Sequence, residues 1–170
     1  MKSFILISIL SVSIFASEVT ADMDIDLSMS DDSVCLALNI YHEARSERTA
    51  GMWAVGDVTI NRVKHASYPN TICGVVTQGP TRESWKTLRY LDLPDEQRIF
   101  YPVKGKCQFS WWCDGKSDYP KEHISLRTSK AIAKMMLEEG QYISVVGDDA
   151  SFYHSTDVNP YWASEFRRVK

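Results

Sequence analysis

The chain has 170 residues, 44% of them hydrophobic and 24% charged, with 19 basic against 22 acidic residues for a formal net charge of −3. That length fits one domain rather than two and supplies enough apolar material for a core of its own. With no basic run and no recognised binding motif, nothing in it resembles a nucleic-acid footprint.

Residues 1–21 have the pattern of an export signal. Lys2 gives a basic start, Phe4 to Phe15 is an apolar run, and Val19-Thr20-Ala21 offers small residues for cleavage. The run is shorter than the roughly 20 residues a membrane span needs, so no stable membrane insertion is expected after cleavage; a buried helix or an uncleaved anchor is the rival reading. Residues 22–32 carry Asp22, Asp24, Asp26, Asp31 and Asp32 and read as a solvated lead-in. Without residues 1–32 the rest holds 18 bases and 16 acids, a net +2. Residues 33–170 are therefore a weakly basic domain, suited to an anionic polymer but not diagnostic of one.

A first helix starts near Ser30–Ser33, where Asp31, Asp32 and Ser33 offer capping oxygens and favourable charge. Val34, Ala37, Leu38 and Tyr41 recur at helical spacing, which places Glu43 on the last turn or just beyond it. After the polar break Arg45-Ser46-Glu47-Arg48, a second helix runs from about Thr49 to Val63, with Met52, Val55, Thr59 and Val63 on one face. Its small residues Ala50, Gly51, Ala54 and Gly56 cost helix propensity, about 1 kcal/mol per glycine relative to alanine. Close approach of the first helix is the expected compensation.

Pro69 ends a loop, and Thr71 to Gln78 is either helical or extended. Residues 79–106, interrupted by Pro80, Pro94 and Pro102, read as a polar insertion packed against the core. Ser125 to Glu139 is a third helix with Ile132, Met135, Met136 and Leu137 apolar and Gly140 as its stop. Residues 143–146 and 151–154 read as two strands about Gly147-Asp148-Asp149.

Cys35, Cys73, Cys107 and Cys113 are an even set behind an export signal, hence two disulfides in an oxidising compartment. Three pairings are open; one of them, Cys107 with Cys113, closes a tight loop. No metal is expected, because there is no C-x-x-C and His42, His65, His123 and His154 lack ligand spacing. Nothing calls for a cofactor.

Glu43 is the candidate acid. Cleaving a glycosidic bond needs a carboxylic acid able to donate a proton to a poor leaving group, and shelter beside Tyr41 and an apolar helix face would favour the neutral form. The rival role is an ion pair with Arg45 or Arg62. Gln78, Gln108, Ser110 and Trp111 are candidate sugar contacts: amides both donate and accept, and flat rings pack on apolar sugar faces. Trp111 and Trp112 point opposite ways on an extended segment, so at most one faces a cleft. Tyr153 is placed to hydrogen-bond either sugar or Glu43, and His154 is either a structural hydrogen-bonder or a ligand contact. Asp57 is expected at solvent or a cap. A zinc protease of the HExxH type fails because Ser46 stands where the second histidine belongs. A Cys–His peptidase is disfavoured by the paired cysteines, and a non-catalytic glycan-binding module is the remaining rival.

Leu38-Asn39-Ile40-Tyr41-His42-Glu43-Ala44-Arg45-Ser46-Glu47 resembles the E-A-R-G-E signature of the SleB-type cell-wall hydrolases. The likeness continues through Asn61-Arg62-Val63, Tyr68-Pro69-Asn70-Thr71-Ile72-Cys73-Gly74, Cys107-Gln108-Phe109-Ser110-Trp111, Phe152-Tyr153-His154-Ser155-Thr156 and Pro160-Tyr161-Trp162. Ser46 departs from it, standing where the family usually has glycine; were φ positive there, serine would cost roughly 1 kcal/mol. The resemblance implies a compact, lysozyme-related α+β single domain with a helical part and a small β-sheet. It also implies an enzyme acting on the glycan strands of peptidoglycan; a monomer is expected, exported to the periplasm or to the extracellular space and cell wall. Glu43 would then be the single acid/base, in the manner of a lytic transglycosylase, with Glu47 supporting its loop, for example through Arg62.

Overall fold

A computed structural model describes residues 29–139, 144–154 and 160–165. The export signal at 1–21, the lead-in up to residue 28, the Gly140 stop, Ile143, the Ser155-Thr156 block and the side chain of Trp162 lie outside them. In chain order the elements are α1 (Asp31–Ala44), α2 (Thr49–Lys64), α3 (Ile72–Val76), β1 (Thr81–Glu83), α4 (Trp85–Leu88), β2 (Phe100–Pro102) and α5 (His123–Leu137). Short 3-10 turns cover Asp95–Gln97, Ser110–Cys113 and Tyr161–Ser164. The architecture is α+β, rich in helix, with a small antiparallel pair of strands.

Helix α1 begins where its sequence chemistry is strongest. The Ser30 hydroxyl accepts the Ser33 N–H at 3.2 Å, and Asp31 and Asp32 occupy the first turn, where negative charge is favoured. Ser33, Leu36, Ala37, Ile40, Tyr41 and Ala44 are buried at i, i+3 and i+4 spacing, while Val34 and Leu38 sit at the edges of that stripe. Helix α5 lies antiparallel on this face. Ser33 Oγ donates to Glu138 Oε1 at 2.7 Å at one end. At the other, the Tyr41 hydroxyl donates to Glu122 Oε2 and accepts the Lys121 N–H at 2.8 Å. Leu36, Ile40, Val75 and Ile132 are at most 2% exposed between the helices. Each such burial stabilises the fold by about 1.5–3 kcal/mol.

The small residues of α2 admit two neighbours rather than one. A Cβ at Gly56 would stand 2.5 Å from Met136 Sδ on α5 and 3.3 Å from Ile40 Cδ1 on α1. Helix α3, the helical alternative for 71–78, is fixed to the first turn of α1. The Cys35–Cys73 disulfide joins them, and Asp32 Oδ1 accepts the Cys73 N–H at 3.0 Å. Closing that 38-residue separation removes chain entropy worth on the order of 4 kcal/mol. The second bridge joins Cys107 and Cys113 and shapes the loop between them.

The sheet is not where the apolar runs point. Strands β1 and β2 pair with Thr81 opposite Pro102, Arg82 opposite Tyr101 and Glu83 opposite Phe100, inside the stretch read as a polar insertion. That stretch adds nothing to the hydrophobic core cluster. The described parts of the expected strands, 144–146 and 151–154, are irregular. Their backbone groups are taken by side chains of α2 instead of by a ladder. Asp57 Oδ2 accepts the N–H groups of Val145 at 2.6 Å and Val146 at 3.2 Å. Asn61 Nδ2 donates to the carbonyls of Gly147 at 2.8 Å and Ala150 at 3.0 Å. Asp57, expected at solvent or a cap, is therefore fully buried. Ser46 needs no left-handed conformation, since among the described residues positive φ occurs at glycines alone.

Buried Asn39 ties α1, α2 and the Ser110–Cys113 turn together. Its Nδ2 donates to Thr59 Oγ1 at 3.0 Å, and its Oδ1 accepts the Trp111 Nε1–H at 3.0 Å. Replacing it by leucine leaves the Trp111 donor stranded in the core. The Asn39→Leu chain should lose about 1–3 kcal/mol in urea unfolding; a change under about 0.5 kcal/mol would contradict this network.

Candidate active site

Helix α1 carries Asn39 and Glu43 one turn apart on one face. Asn39 grips Trp111, so the loop ahead of that tryptophan is held beside the end of the helix where Glu43 stands. This loop supplies Gln108, Phe109 and Ser110. The Gln108 N–H donates to the Gln78 carbonyl at 2.8 Å, which fixes the loop from its other side.

The third wall comes from the segment clamped on α2. Arg62 Nε donates to the Ser151 carbonyl at 2.9 Å, extending the row begun by Asp57 and Asn61. Its guanidinium carbon also lies 5.5, 5.0 and 5.8 Å from the ring centroids of Tyr68, Phe109 and Phe152. Cation–π attraction thus binds both loops to one buried cation. Two residues beyond Ser151, the Tyr153 hydroxyl donates to Glu43 Oε2 at 2.7 Å.

These walls border an open cleft of about 330 Å³ lined by Glu43, Arg62, Gln108, Phe109, Ser110, Phe152 and Tyr153. Its size lies within the range of small-molecule sites. Glu43 is half-buried and is the one carboxylate among the described lining residues. Neither rival ion pair holds it: Arg45 Nε lies 3.5 Å from Glu122 Oε2, and Arg62 turns to Ser151. Glu47 is exposed and packs beside Gly51.

Electrostatics distinguish the two groups that flank Glu43. Burial lowers the Arg62 guanidinium below its ordinary range, opposed by the charges of Tyr68, Tyr153 and Glu43. Burial first, then the charge and hydrogen bond of Glu43, raise the Tyr153 phenol above its ordinary 10.0. Tyr153 therefore stays protonated, a donor aimed at the carboxyl. On the clamp itself, burial pushes the Asp57 carboxyl up from 3.8, opposed by the two backbone N–H groups it accepts.

Of the residues singled out from sequence, Glu43, Gln108, Ser110 and Tyr153 meet at this cavity. Gln78 supports it through its backbone carbonyl, and its side-chain Oε1 is buried without a partner among the described residues. Trp111 is in the core, 8% exposed, stacked on His42 with ring centroids 4.3 Å apart. Trp112 packs at the edge of the same core. His154 is half-buried and does not line the cavity.

Arg62, Phe109 and Phe152 were not read as cavity walls, nor Asp57 and Asn61 as a clamp. The available signal was a polar row at i, i+4 and i+5 on a helix whose other face is apolar. Each member of the row engages the clamped segment, while Asp57 Oδ1, Asn61 Oδ1 and Arg62 Nη1 are buried without a hydrogen-bond partner among the described residues.

A family model described as Cell Wall Hydrolase matches residues 46–170. No curated protein and no solved structure matches the chain. The family match starts three positions after Glu43, so the assignment of that carboxyl rests on geometry and on the sequence signature around it.

Because the folded chain keeps the Tyr153 proton where the unfolded chain releases it near pH 10, stability should fall as pH rises above that point. Tyr153→Phe removes this proton. Denaturant unfolding from about pH 8 to about pH 11 should show a shallower alkaline decline for the variant, with the two curves parallel below about pH 9; parallel curves throughout would count against the buried phenol.

Proposed function

Given that the chain belongs to the SleB-type cell wall hydrolase family and acts on peptidoglycan, we propose that it cleaves the glycan strand between N-acetylmuramic acid and N-acetylglucosamine as a lytic transglycosylase, with Glu43 as its single acid/base. The observation that carries this reading is that Glu43 is the one carboxylate among the described residues lining the cavity, with one oxygen already engaged by Tyr153. Glycosidases that add water use two carboxylates about 5–9.5 Å apart. An intramolecular nucleophile removes the need for the second.

In this mechanism Glu43 binds with its Oε2 held by the Tyr153 hydroxyl, leaving Oε1 to carry the proton toward the glycosidic oxygen. Proton transfer breaks the bond from muramoyl C1 to that oxygen and frees the N-acetylglucosamine hydroxyl. The carboxylate so formed is stabilised by the Tyr153 hydrogen bond and by the positive field of Arg62. It then takes the proton of the muramoyl C6 hydroxyl, whose oxygen bonds to C1 and gives a 1,6-anhydro end. Glu43 is thereby reprotonated and no water is consumed. Gln108 and Ser110 are the cavity groups suited to hold acetamido and hydroxyl substituents.

The two disulfides and the family together fit action outside the cytoplasm. Among the described residues no helix is long and apolar enough to cross a membrane.

Muropeptides released from purified peptidoglycan and weighed by mass spectrometry test the proposal. The expected products end in anhydro-muramoyl residues. Glu43→Gln should release them on the order of 10²–10⁴-fold more slowly, while still sedimenting with the wall. Reducing ends that have gained water would reassign the chain to hydrolysis, and free stem peptides to amidase chemistry.

A further inference from the structure

Between β1 and β2 the chain makes an excursion, residues 84–99, in which few side chains are buried. Trp85 is 70% exposed, Leu88 58%, Tyr90 52% and Leu91 86%. Large apolar side chains gathered at the surface mark an interaction site. This one is organised. Trp85 and Arg89 are one helical turn apart, and the Arg89 guanidinium carbon lies 5.8 Å from the Trp85 ring centroid and 5.0 Å from that of Tyr90. One cation thus holds two exposed rings in place.

The base beneath is braced. Arg98 Nη1 donates to Glu83 Oε1 at 2.9 Å, Arg98 Nη2 donates to the Leu91 carbonyl at 3.0 Å, and the Ile99 N–H donates to Thr87 Oγ1 at 3.2 Å. Beside the rings lies a second cavity of about 500 Å³, lined by Arg89, Tyr90, Leu91, Asp92 and Leu93.

We infer that this lobe is a second, non-catalytic binding site for the glycan strands of peptidoglycan, with Trp85 and Tyr90 as platforms for the apolar faces of the sugars. Arg89 only donates and an ionised Asp92 only accepts. Side by side in one cavity they match hydroxyl and acetamido groups, which do both. A lipid surface fits less well, because Asp92, Asp95 and Glu96 share the lobe and anionic headgroups repel them. Holding an insoluble strand at a second point raises the local concentration of bonds within reach of the cavity at Glu43. The inference takes only the identity of the polymer from the cell-wall reading, not the cleavage mechanism.

The test is co-sedimentation of the full chain carrying Glu43→Gln with insoluble peptidoglycan, with and without Trp85→Ala and Tyr90→Ala together. The apparent Kd should rise at least about tenfold. In the otherwise wild-type chain, the same pair should leave cleavage of short soluble glycan fragments within about twofold. Trp85→Phe with Tyr90→Phe, which keeps the rings, should retain binding, and Arg89→Ala should weaken it several-fold.

An unchanged Kd in the alanine pair would overturn the inference, as would an equal loss on soluble fragments. So would liposome binding or self-association that disappears with the rings. A chain that cleaves nothing yet sediments in a Trp85-dependent way would remove the proposed function and keep this site.

Discussion

The site depends on a row of polar side chains that α2 keeps on its buried face. Asp57, Asn61 and Arg62 take up backbone groups of residues 145–151 that would otherwise seek a sheet or solvent. This row sets the path of the chain so that Tyr153 arrives at Glu43. A buried backbone group without a partner costs about 1–3 kcal/mol. The segment is therefore held by several such penalties at once. Arg62 adds a second constraint, because its guanidinium is shared by aromatic rings from the Tyr68, Phe109 and Phe152 regions of the chain.

The other half of the site is fixed independently. Asn39 holds Trp111 and Thr59, and Trp111 stacks on His42, the residue before Glu43. The Cys107–Cys113 bridge shapes the loop that carries Gln108 and Ser110. A tryptophan that looks like a sugar platform in the sequence thus serves as an internal strut. Its polar handle is satisfied by an amide rather than by a ligand. Function and stability meet on α1, where Asn39 organises the core and Glu43, one turn later, faces the cavity.

The helices were legible because their signals are local. Ser30 with Asp31 and Asp32 marks the start of α1, and the apolar spacing of α2 and α5 survives in the fold. The strands were not legible, for a physical reason. Residues 144–146 and 151–154 have the composition of strands, but their hydrogen bonds go to side chains remote in sequence, which no local pattern records. β1 and β2 are three residues each, one charged and one ending in proline, too short to leave an alternating pattern in the sequence. At the site, Glu43 and Tyr153 could be named one by one. The sequence offered Glu43 as one of two partners for the Tyr153 hydroxyl; that it bonds this carboxyl, 110 residues away, and the part played by Arg62 follow from tertiary packing.

On the proposed reading, the oxygen of Glu43 not engaged by Tyr153 faces the bond to be broken. A crystal structure of the Glu43→Gln chain with a bound peptidoglycan oligosaccharide examines this directly. The account predicts a glycosidic oxygen within about 3 Å of the side chain at position 43, with the flanking sugars against Gln108 and Ser110. A strand lying elsewhere, with the cavity beside Tyr153 empty, would contradict it.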